Sequence, residues 1–175
     1  MITIISGTNR PDSFTEKFAR IYFQMMEAKI ADVKLLTLKN LPIEILSTDV
    51  YEKGKKPEAI LKIQQEYFIP AEKFVFIFPE YNGSFPGILK LMMDVLDPKI
   101  AFSGKKAGLI GISTGRGGNL RGLDHLASVL HNMNVTVFPL MLPISKVQFE
   151  FDEEHQLKES ALTPTMKHLE GILAF

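Results

Sequence analysis

Residues 73–96 read KFVFIFPEYNGSFPGILKLMMDVL, and this stretch decides the predicted fold. Its first part, residues 73–78, is rich in β-branched and aromatic residues, as expected for a buried strand. A loop with proline, asparagine and glycine follows at 79–87, and residues 88–96 are helix formers. A strand that passes through such a loop into a helix is the repeating unit of an open α/β sheet. In these sheets, ligands bind at the carboxyl ends of the strands.

The rest of the chain repeats this alternation. The predicted strands are residues 2–5, 33–38, 74–78, 106–112 and 134–142. The predicted helices cover residues 14–29, a segment that begins at Pro57, residues 88–96, residues 120–130 and residues 160–173. Residues 47–56 are polar and are expected to form an irregular surface loop. Five apolar strands separated by helices predict an α/β fold with a parallel sheet covered on both faces, in one domain over residues 1–175.

Composition excludes several classes of function. The chain has 20 basic and 20 acidic residues, so it has no net field that would attract nucleic acid or an anionic membrane. It has no cysteine, which excludes disulfides, cysteine nucleophiles and cysteine-ligated metal centres. Its four histidines have no metal-ligand spacing, so we expect no metal site. No leader and no apolar run of about 20 residues is seen, and we expect a cytoplasmic protein.

Residues 6–15, after the first strand, have the composition of a phosphate site. Thr8, Ser13 and Thr15 can donate hydrogen bonds to phosphate oxygens, and Arg10 can add a charged contact. The helix that follows presents unpaired amides at the positive end of its dipole. As the alternative, Ser13 or Asp12 only caps that helix. The segment lacks the Walker and G-x-G-x-x-G patterns, so a phosphate monoester is favoured over a triphosphate or a dinucleotide.

Two further loops suit a flat heterocycle. The loop at 79–87 offers free backbone amides and an aromatic ring, which fit a polar ring system better than a metal. The loop at 111–119 is rich in glycine, which allows backbone amides to approach a ring closely. Arg116 can supply positive charge beside a ring that gains electrons. The alternative is a flexible turn with a solvated arginine.

The three loops, in this order, resemble the NADPH-dependent FMN reductase family. These are flavodoxin-like proteins that include quinone, azo-dye and chromate reductases. The resemblance runs from residue 2 to about residue 142, and residues 79–90 carry its most specific motif. It implies a three-layer α/β/α sandwich whose five-stranded parallel sheet has the order 2-1-3-4-5. It also implies FMN as the cofactor.

The resemblance assigns FMN-binding roles to residues of all three loops. Those implied to hold the phosphate are Thr8, Arg10, Ser13, Phe14 and Thr15. Those implied to line the isoalloxazine ring and ribityl chain are Pro79, Glu80, Tyr81, Asn82 and Gly83. Those implied to lie near the pyrimidine end are Ser113, Thr114, Gly115, Arg116 and Gly117.

The activity implied by the resemblance is transfer of a hydride from NADPH or NADH, through FMN, to a small acceptor. Such acceptors include quinones, azo compounds, free flavins and metal ions. The chemistry belongs to flavin N5, so no catalytic side chain is expected. The alternative is an FMN-binding electron carrier or sensor without NAD(P)H turnover. A carrier would favour a strongly acidic surface, and this chain is neutral.

The helix at 88–96 is apolar nearly all round, although a helix that covers one face of a sheet needs only one apolar stripe. We therefore expect a homodimer or homotetramer formed through this helix, with a deeply buried core helix as the alternative. The family commonly continues Asn-x-x-x-Asp-Trp after the position of Lys90. This chain lacks that asparagine and that tryptophan, so its subunit contacts and its substrate pocket are expected to differ.

Overall fold

The computed structural model describes residues 1–52 and 54–175. Its strands are β1 (Ile2–Ser6), β2 (Val33–Thr37), β3 (Lys73–Pro79), β4 (Lys106–Ile112), β5 (Thr136–Val137) and β6 (Leu142–Ile144). Within the described residues these form one sheet in the order β2-β1-β3-β4-β5, and β6 also pairs with β4. All pairings are parallel, so the predicted sheet and its order 2-1-3-4-5 are confirmed.

Helices cover both faces of the sheet. One face packs against α1 (Phe14–Glu27) and α6 (Glu159–Ala174). The other packs against α2 (Glu58–Ile63), α3 (Gly87–Val95), α4 (Pro98–Ala101) and α5 (Leu120–Asn132). These layers confirm the predicted three-layer α/β/α sandwich. None of the described helices combines the length and the hydrophobicity that crossing a membrane requires.

The alternation of side chains along β3 explains why this strand lies at the centre of the protein. Phe74, Phe76 and Phe78 point into the core beneath α3 and α5. Val75 and Ile77 point into the opposite core, beneath α1 and α6. All of these side chains are fully buried. A strand that is apolar on both faces can be satisfied only between two helical layers.

The prediction of one strand over residues 134–142 is wrong. The structure has two short strands there, β5 and β6, which pair with different parts of β4. Pro139 lies between them and has no N–H to donate to a ladder, which favours an interruption at this point. Pairing resumes at β6, where Ile144 lies beside Ile112 at the carboxyl end of β4. The residues after β6 therefore run beside the functional edge of the sheet.

The segment at 47–56 is less irregular than predicted. Thr48–Tyr51 form a short 3-10 helix, and Val50 is buried in the core. Lys53, within the same predicted loop, lies outside the described residues. Val50 packs into the hydrophobic core and so anchors this otherwise polar segment.

Burial along α3 alters the expectation for the helix at 88–96. The side chains that are fully buried within the single chain are Leu89, Met92, Met93, Val95 and Leu96. Ile88 and Leu91 are only half-buried. Most of the apolar surface of this helix is therefore accounted for by the core, which was the alternative considered from the sequence. A subunit contact through this helix has only Ile88 and Leu91 to offer as apolar side chains.

Candidate functional site

Three loops meet at the carboxyl edge of the sheet. We call residues 7–13, after β1, the first loop; residues 80–86, after β3, the second loop; and residues 113–119, after β4, the third loop. Together with the strand and helix ends they surround a cavity of about 420 Å³, a size typical of small-molecule sites. The cavity is lined by Arg10, Pro11, Asp12, Ser13, Phe14, Thr15, Pro79, Glu80, Tyr81, Ile112, Ser113, Thr114 and Val147.

The first loop leads directly into the N-terminus of α1. Ser13 caps this helix, because its Oγ accepts a hydrogen bond of 3.1 Å from the N–H of Glu16. The capping role considered for Ser13 is thus confirmed, and its hydroxyl proton is still available to a ligand. The backbone N–H groups of Phe14 and Thr15 have no acceptor among the described residues. Arg10 lies exposed at the rim, so this end of the cavity favours an anion.

Thr8 does not line the cavity, although it was predicted to contact the phosphate. It is 1% exposed, and its Oγ1 lies 2.9 Å from the hydroxyl oxygen of Tyr81. The same Oγ1 accepts a hydrogen bond of 3.2 Å from the N–H of Arg10. Thr8 therefore holds the first loop against the second.

The second loop contains a tight turn. Tyr81 and Ser84 exchange two backbone hydrogen bonds, of 2.9 and 3.1 Å. Between them Asn82 and Gly83 have φ angles of 52° and 77°, the left-handed pair that a type I′ turn requires. These two residues form the tip of the turn and do not line the cavity. Their predicted contact with the ring stays a prediction.

The third loop is shaped by Ser113. Its buried Oγ accepts a hydrogen bond from the N–H of Gly118 and donates one to the carbonyl of Gly115, both at 3.1 Å. Within the described residues, the N–H groups of residues 114–117 have no acceptor. Thr114 lines the cavity, whereas Gly115, Arg116 and Gly117 do not. The loop therefore offers a row of free amides rather than a set of side chains.

Asn119 supports the third loop without lining the cavity, and no role was predicted for it from the sequence. It is fully buried in a left-handed conformation with a φ of 64°, and its Nδ2 donates a hydrogen bond of 3.1 Å to the carbonyl of Phe78. This bond joins the third loop to the end of β3. A side chain on Gly122 would displace the asparagine, since a Cβ there would lie 2.1 Å from Asn119 Oδ1. An asparagine that ends a glycine-rich loop was the available signal, because asparagine tolerates this conformation.

Four lining residues were also outside the predicted set. Pro11 and Asp12 belong to the first loop, and Ile112 is the last residue of β4, so all three adjoin residues of the predicted set. Val147 follows β6 and had no signal in the sequence. In the described part of the chain no cluster of three or more His, Asp or Glu side chains is arranged to hold a metal ion. The polar lining consists of amides, hydroxyls, one arginine and the carboxylates of Asp12 and Glu80, and its amides and its arginine suit the anionic group of a planar organic ligand.

Residues 1–148 match the family model described as NADPH-dependent FMN reductase. The chain belongs to this family. Membership confirms the predicted class of protein, an oxidoreductase that uses FMN with NAD(P)H as the electron donor. The site is compatible with FMN, because the cavity has an anion-binding helix N-terminus at one end and Thr114 in its wall, and the amides of residues 115–117, which have no acceptor among the described residues, continue from Thr114 beyond the cavity.

Named reductases are among the relatives of this FMN reductase family member. It is 34% identical over 158 residues to an NAD(P)H-dependent FMN reductase of Pseudomonas aeruginosa. The aligned region covers 87% of this chain and 82% of that protein. It is 29% identical over 127 residues to a quinone reductase of Pseudomonas putida, covering 71% of this chain and 65% of that protein.

Solved structures share the fold. A flavoenzyme NAD(P)H:(acceptor) oxidoreductase from Paracoccus denitrificans superposes with a TM-score of 0.74 at 19% identity, covering 99% of this chain and 97% of that chain. A flavodoxin from Megasphaera elsdenii superposes with a TM-score of 0.62 at 15% identity and covers 100% of both chains. Both likenesses confirm the flavodoxin-like architecture.

Proposed function

We propose that this protein transfers reducing equivalents from NADPH or NADH, through FMN bound in the cavity of the three loops, to a small acceptor. Quinones, azo compounds, free flavins and metal ions are the acceptor classes we propose. When bound, FMN supplies the hydride chemistry, and the protein binds, orients and electrostatically tunes it. The observation that carries the proposal is that the loops after β1, β3 and β4 meet at one shared cavity.

The phosphate of FMN is proposed to lie at the first loop. At the N-terminal end of α1 lie the N–H groups of Phe14 and Thr15, which have no acceptor in the described part of the chain, and the hydroxyl of Ser13, whose proton is available to a ligand. A dianionic phosphate is stabilised there by the partial positive charge of the helix. Arg10 adds a full positive charge at the rim. This end of the site therefore anchors the cofactor and leaves the reactions to the other end.

The isoalloxazine ring is proposed to lie between the second and third loops. Pro79, Glu80 and Tyr81 form one wall, and Thr114 forms part of the other. The free amides of residues 114–117 are hydrogen-bond donors for the pyrimidine edge, where negative charge gathers on reduction. No side chain is needed as an acid or base in this proposal. The protein contributes fixed dipoles that favour the reduced ring.

Replacing Arg10 with alanine is expected to weaken FMN binding by about 1.5–3 kcal/mol, the scale of a hydrogen bond to a charged group. That is roughly a 10- to 150-fold rise in Kd, measurable by quenching of FMN fluorescence. Arg20→Ala is the matched control, because Arg20 pairs with Glu16 at 2.6 Å and does not line the cavity. Equal affinities of both variants for FMN would remove Arg10 from the phosphate site.

The relatives support a small, planar acceptor. A quinone reductase is among them, and quinones are flat molecules that can stack on a ring held between two loops. An electron carrier or sensor that binds FMN without NAD(P)H turnover is the competing function. A carrier would favour a strongly acidic surface, whereas this chain balances 20 acidic with 20 basic residues.

A homodimer or homotetramer that uses the helix at 88–96 is also proposed. Ile88 and Leu91, one turn apart on α3, are the half-buried apolar side chains that a partner would cover. We expect Leu91→Glu to produce monomers in light scattering, because a buried carboxylate without a partner is costly. Leu61→Glu, on α2, is the matched control and should keep the assembly. An unchanged mass for Leu91→Glu would exclude this helix as the interface. Met92 is unsuitable for the test, since it is 1% exposed within the core.

We further propose that residues 1–175 work as one flavodoxin-like domain in the cytoplasm. The sheet and its two helical layers draw on elements from Ile2 to Ala174, which supports one unit. Fractionation of the native host, with a cytoplasmic marker enzyme as reference, tests the location.

The experiment that tests the proposed function is an absorbance spectrum of the purified protein, before and after anaerobic addition of NADPH. Flavin bands that bleach on addition support the reductase. Flavin bands that persist with both NADPH and NADH support a carrier or sensor. A protein without flavin that also fails to bind added FMN would contradict the proposal.

A further inference from the structure

The segment that begins at the last residue of β6 is hydrogen-bonded to residues 113–116 of the third loop. We propose that residues 144–148, which we call the strap, orient the amides of the third loop and so set how strongly the site prefers reduced over oxidised FMN. This inference rests on the proposed function. Ser145 and Gln148, whose side chains do not line the cavity, are then positioning residues for the reaction.

Backbone bonds join the strap to the start of the third loop. The N–H of Ser113 donates to the carbonyl of Ile144 at 2.9 Å, and the N–H of Val147 donates back to the carbonyl of Ser113 at 3.0 Å. The N–H of Lys146 donates to the carbonyl of Gly115, also at 2.9 Å. These bonds extend the pairing of β4 with β6 beyond the ends of both strands.

Side chains of the strap donate hydrogen bonds to the other two carbonyls, those of residues 114 and 116. Ser145 Oγ donates a hydrogen bond of 2.7 Å to the carbonyl of Arg116. Gln148 Nε2 donates a longer bond, of 3.4 Å, to the carbonyl of Thr114. With the backbone bonds, the strap thus reaches the carbonyl of every residue from 113 to 116.

The geometry of the peptide bond turns this anchoring into an orientation of the amides. In a trans peptide the C=O and the following N–H point in opposite directions, and the described residues contain no cis peptide. Carbonyls of residues 113–116 that face the strap therefore direct the N–H groups of residues 114–117 away from it. Those are the N–H groups that lack an acceptor within the described chain. Successive amides of this kind form an anion-binding concavity.

The backbone of the strap is itself held in an uncommon conformation. Lys146 has a φ of 47°, in the left-handed region that side chains other than Gly, Asn and Asp seldom adopt. This conformation lies at the point where the N–H groups of Lys146 and Val147 both turn onto the third loop. Strain of this kind persists where the surrounding structure over-determines the backbone, and it is concentrated at functional sites. The backbone conformation of the strap is therefore fixed by its hydrogen bonds to the third loop.

Ser145→Ala tests the inference, because it removes the anchor of the Arg116 carbonyl and leaves the backbone of the strap intact. The peptide between Arg116 and Gly117 is then free to turn, since glycine tolerates either orientation. We expect the preference of the protein for reduced over oxidised FMN to fall about tenfold, which lowers a two-electron midpoint potential by about 30 mV. Dye-equilibrium reduction titrations measure this potential.

Ser160→Ala is the matched control. Ser160 lies on α6, and its hydroxyl donates to Glu150 rather than to the third loop. The strap is supported if Ser145→Ala shifts the potential while Ser160→Ala does not, with thermal unfolding of both close to that of the parent protein. A shift below threefold in Ser145→Ala, or an equal shift in both variants, overturns the inference.

A second readout separates this inference from the proposed function. If the parent protein takes up no FMN, the proposed function fails, and the strap is judged on the ligand-free protein by nuclear magnetic resonance. The order parameter of the Gly117 amide should then fall in Ser145→Ala and stay unchanged in Ser160→Ala. Equal order parameters in the two variants would overturn the strap as an orienting element.

Discussion

Gly111→Ala is expected to lower the free energy of unfolding by about 2–3 kcal/mol, the upper range for overpacking, and to weaken FMN binding at least tenfold. Gly111 lies on β4, directly beneath the third loop. A Cβ at this position would lie 2.8 Å from the carbonyl oxygen of Gly118 and 2.9 Å from Leu123 Cγ. The first of these is a backbone atom, so the loop itself has to move. Because the loop carries the free amides, stability and cofactor affinity fall together.

The control for this variant is Gly87→Ala. Gly87 is the first residue of α3, and a Cβ there would meet no atom within 4 Å. Alanine favours a helix over glycine, so this change is expected to leave stability unchanged or raise it slightly. Urea unfolding followed by circular dichroism gives both free energies, and fluorescence titration gives both affinities for FMN. If Gly111→Ala matched Gly87→Ala in both measurements, the third loop would not rest on β4 as described.

Lowering the pH from 7 to 4 is expected to remove about 3 kcal/mol of stability through a single histidine. His168 on α6 is fully buried, and its Nδ1 lies 3.0 Å from the hydroxyl oxygen of Tyr22 on α1. Burial raises the pKa of Tyr22, so the phenol keeps its proton and shares a hydrogen bond with Nδ1 of the neutral imidazole. The other ring nitrogen of His168, Nε2, has no partner among the described residues.

The sign of this effect follows from which state of the chain, folded or unfolded, binds a proton on His168 more strongly. Burial lowers the pKa of His168 to about 4 from its ordinary value of 6.5. Between these two values the unfolded chain binds the proton and the folded chain does not. The contribution of His168 to stability is therefore nearly complete above pH 6.5, falls as the pH drops through this window, and levels off below pH 4.

A double variant isolates the contribution of the histidine. Tyr22→Phe with His168→Leu removes both polar partners and keeps the site apolar, a change that is nearly neutral at pH 7. Urea unfolding at several values between pH 7 and pH 4.5 should show a shallower loss of stability for the double variant than for the parent. Identical pH dependence of the two proteins would mean that His168 is not the group responsible.

The two helical layers illustrate how far local patterns extend. The apolar run at 73–78 predicted a buried strand. Because successive side chains of a strand point to opposite faces, Phe76 lies in one core and Ile77 in the other. The same kind of pattern misled at 134–142, where an apolar run suggested one long strand. Pro139 and the partners available on β4 divided it into two. Apolar composition reports burial, but it does not report which neighbour a strand finds.

The candidate site shows the same division. Ser13 caps α1 through a residue three positions away, so its place in the site followed from the sequence. Thr8 was predicted to contact the phosphate, which stays a prediction, and the sequence did not indicate that its hydroxyl lies against Tyr81, 73 positions along the chain. Val147 reaches the cavity from a segment whose composition indicates nothing. In each case the separation along the chain decided whether the sequence was informative.

The sequence by itself determined the alternation of strands and helices, the edge of the sheet at which the candidate site lies, and the three loops that meet there. These depend on periodicity, turn chemistry and helix capping, which act over a few residues. Only the tertiary structure decided that Asn119 holds the end of β3 and that the strap holds the third loop. Those bonds join residues 41 and 29 positions apart. No local pattern encodes them, because they exist only once the sheet has brought its distant loops to one edge.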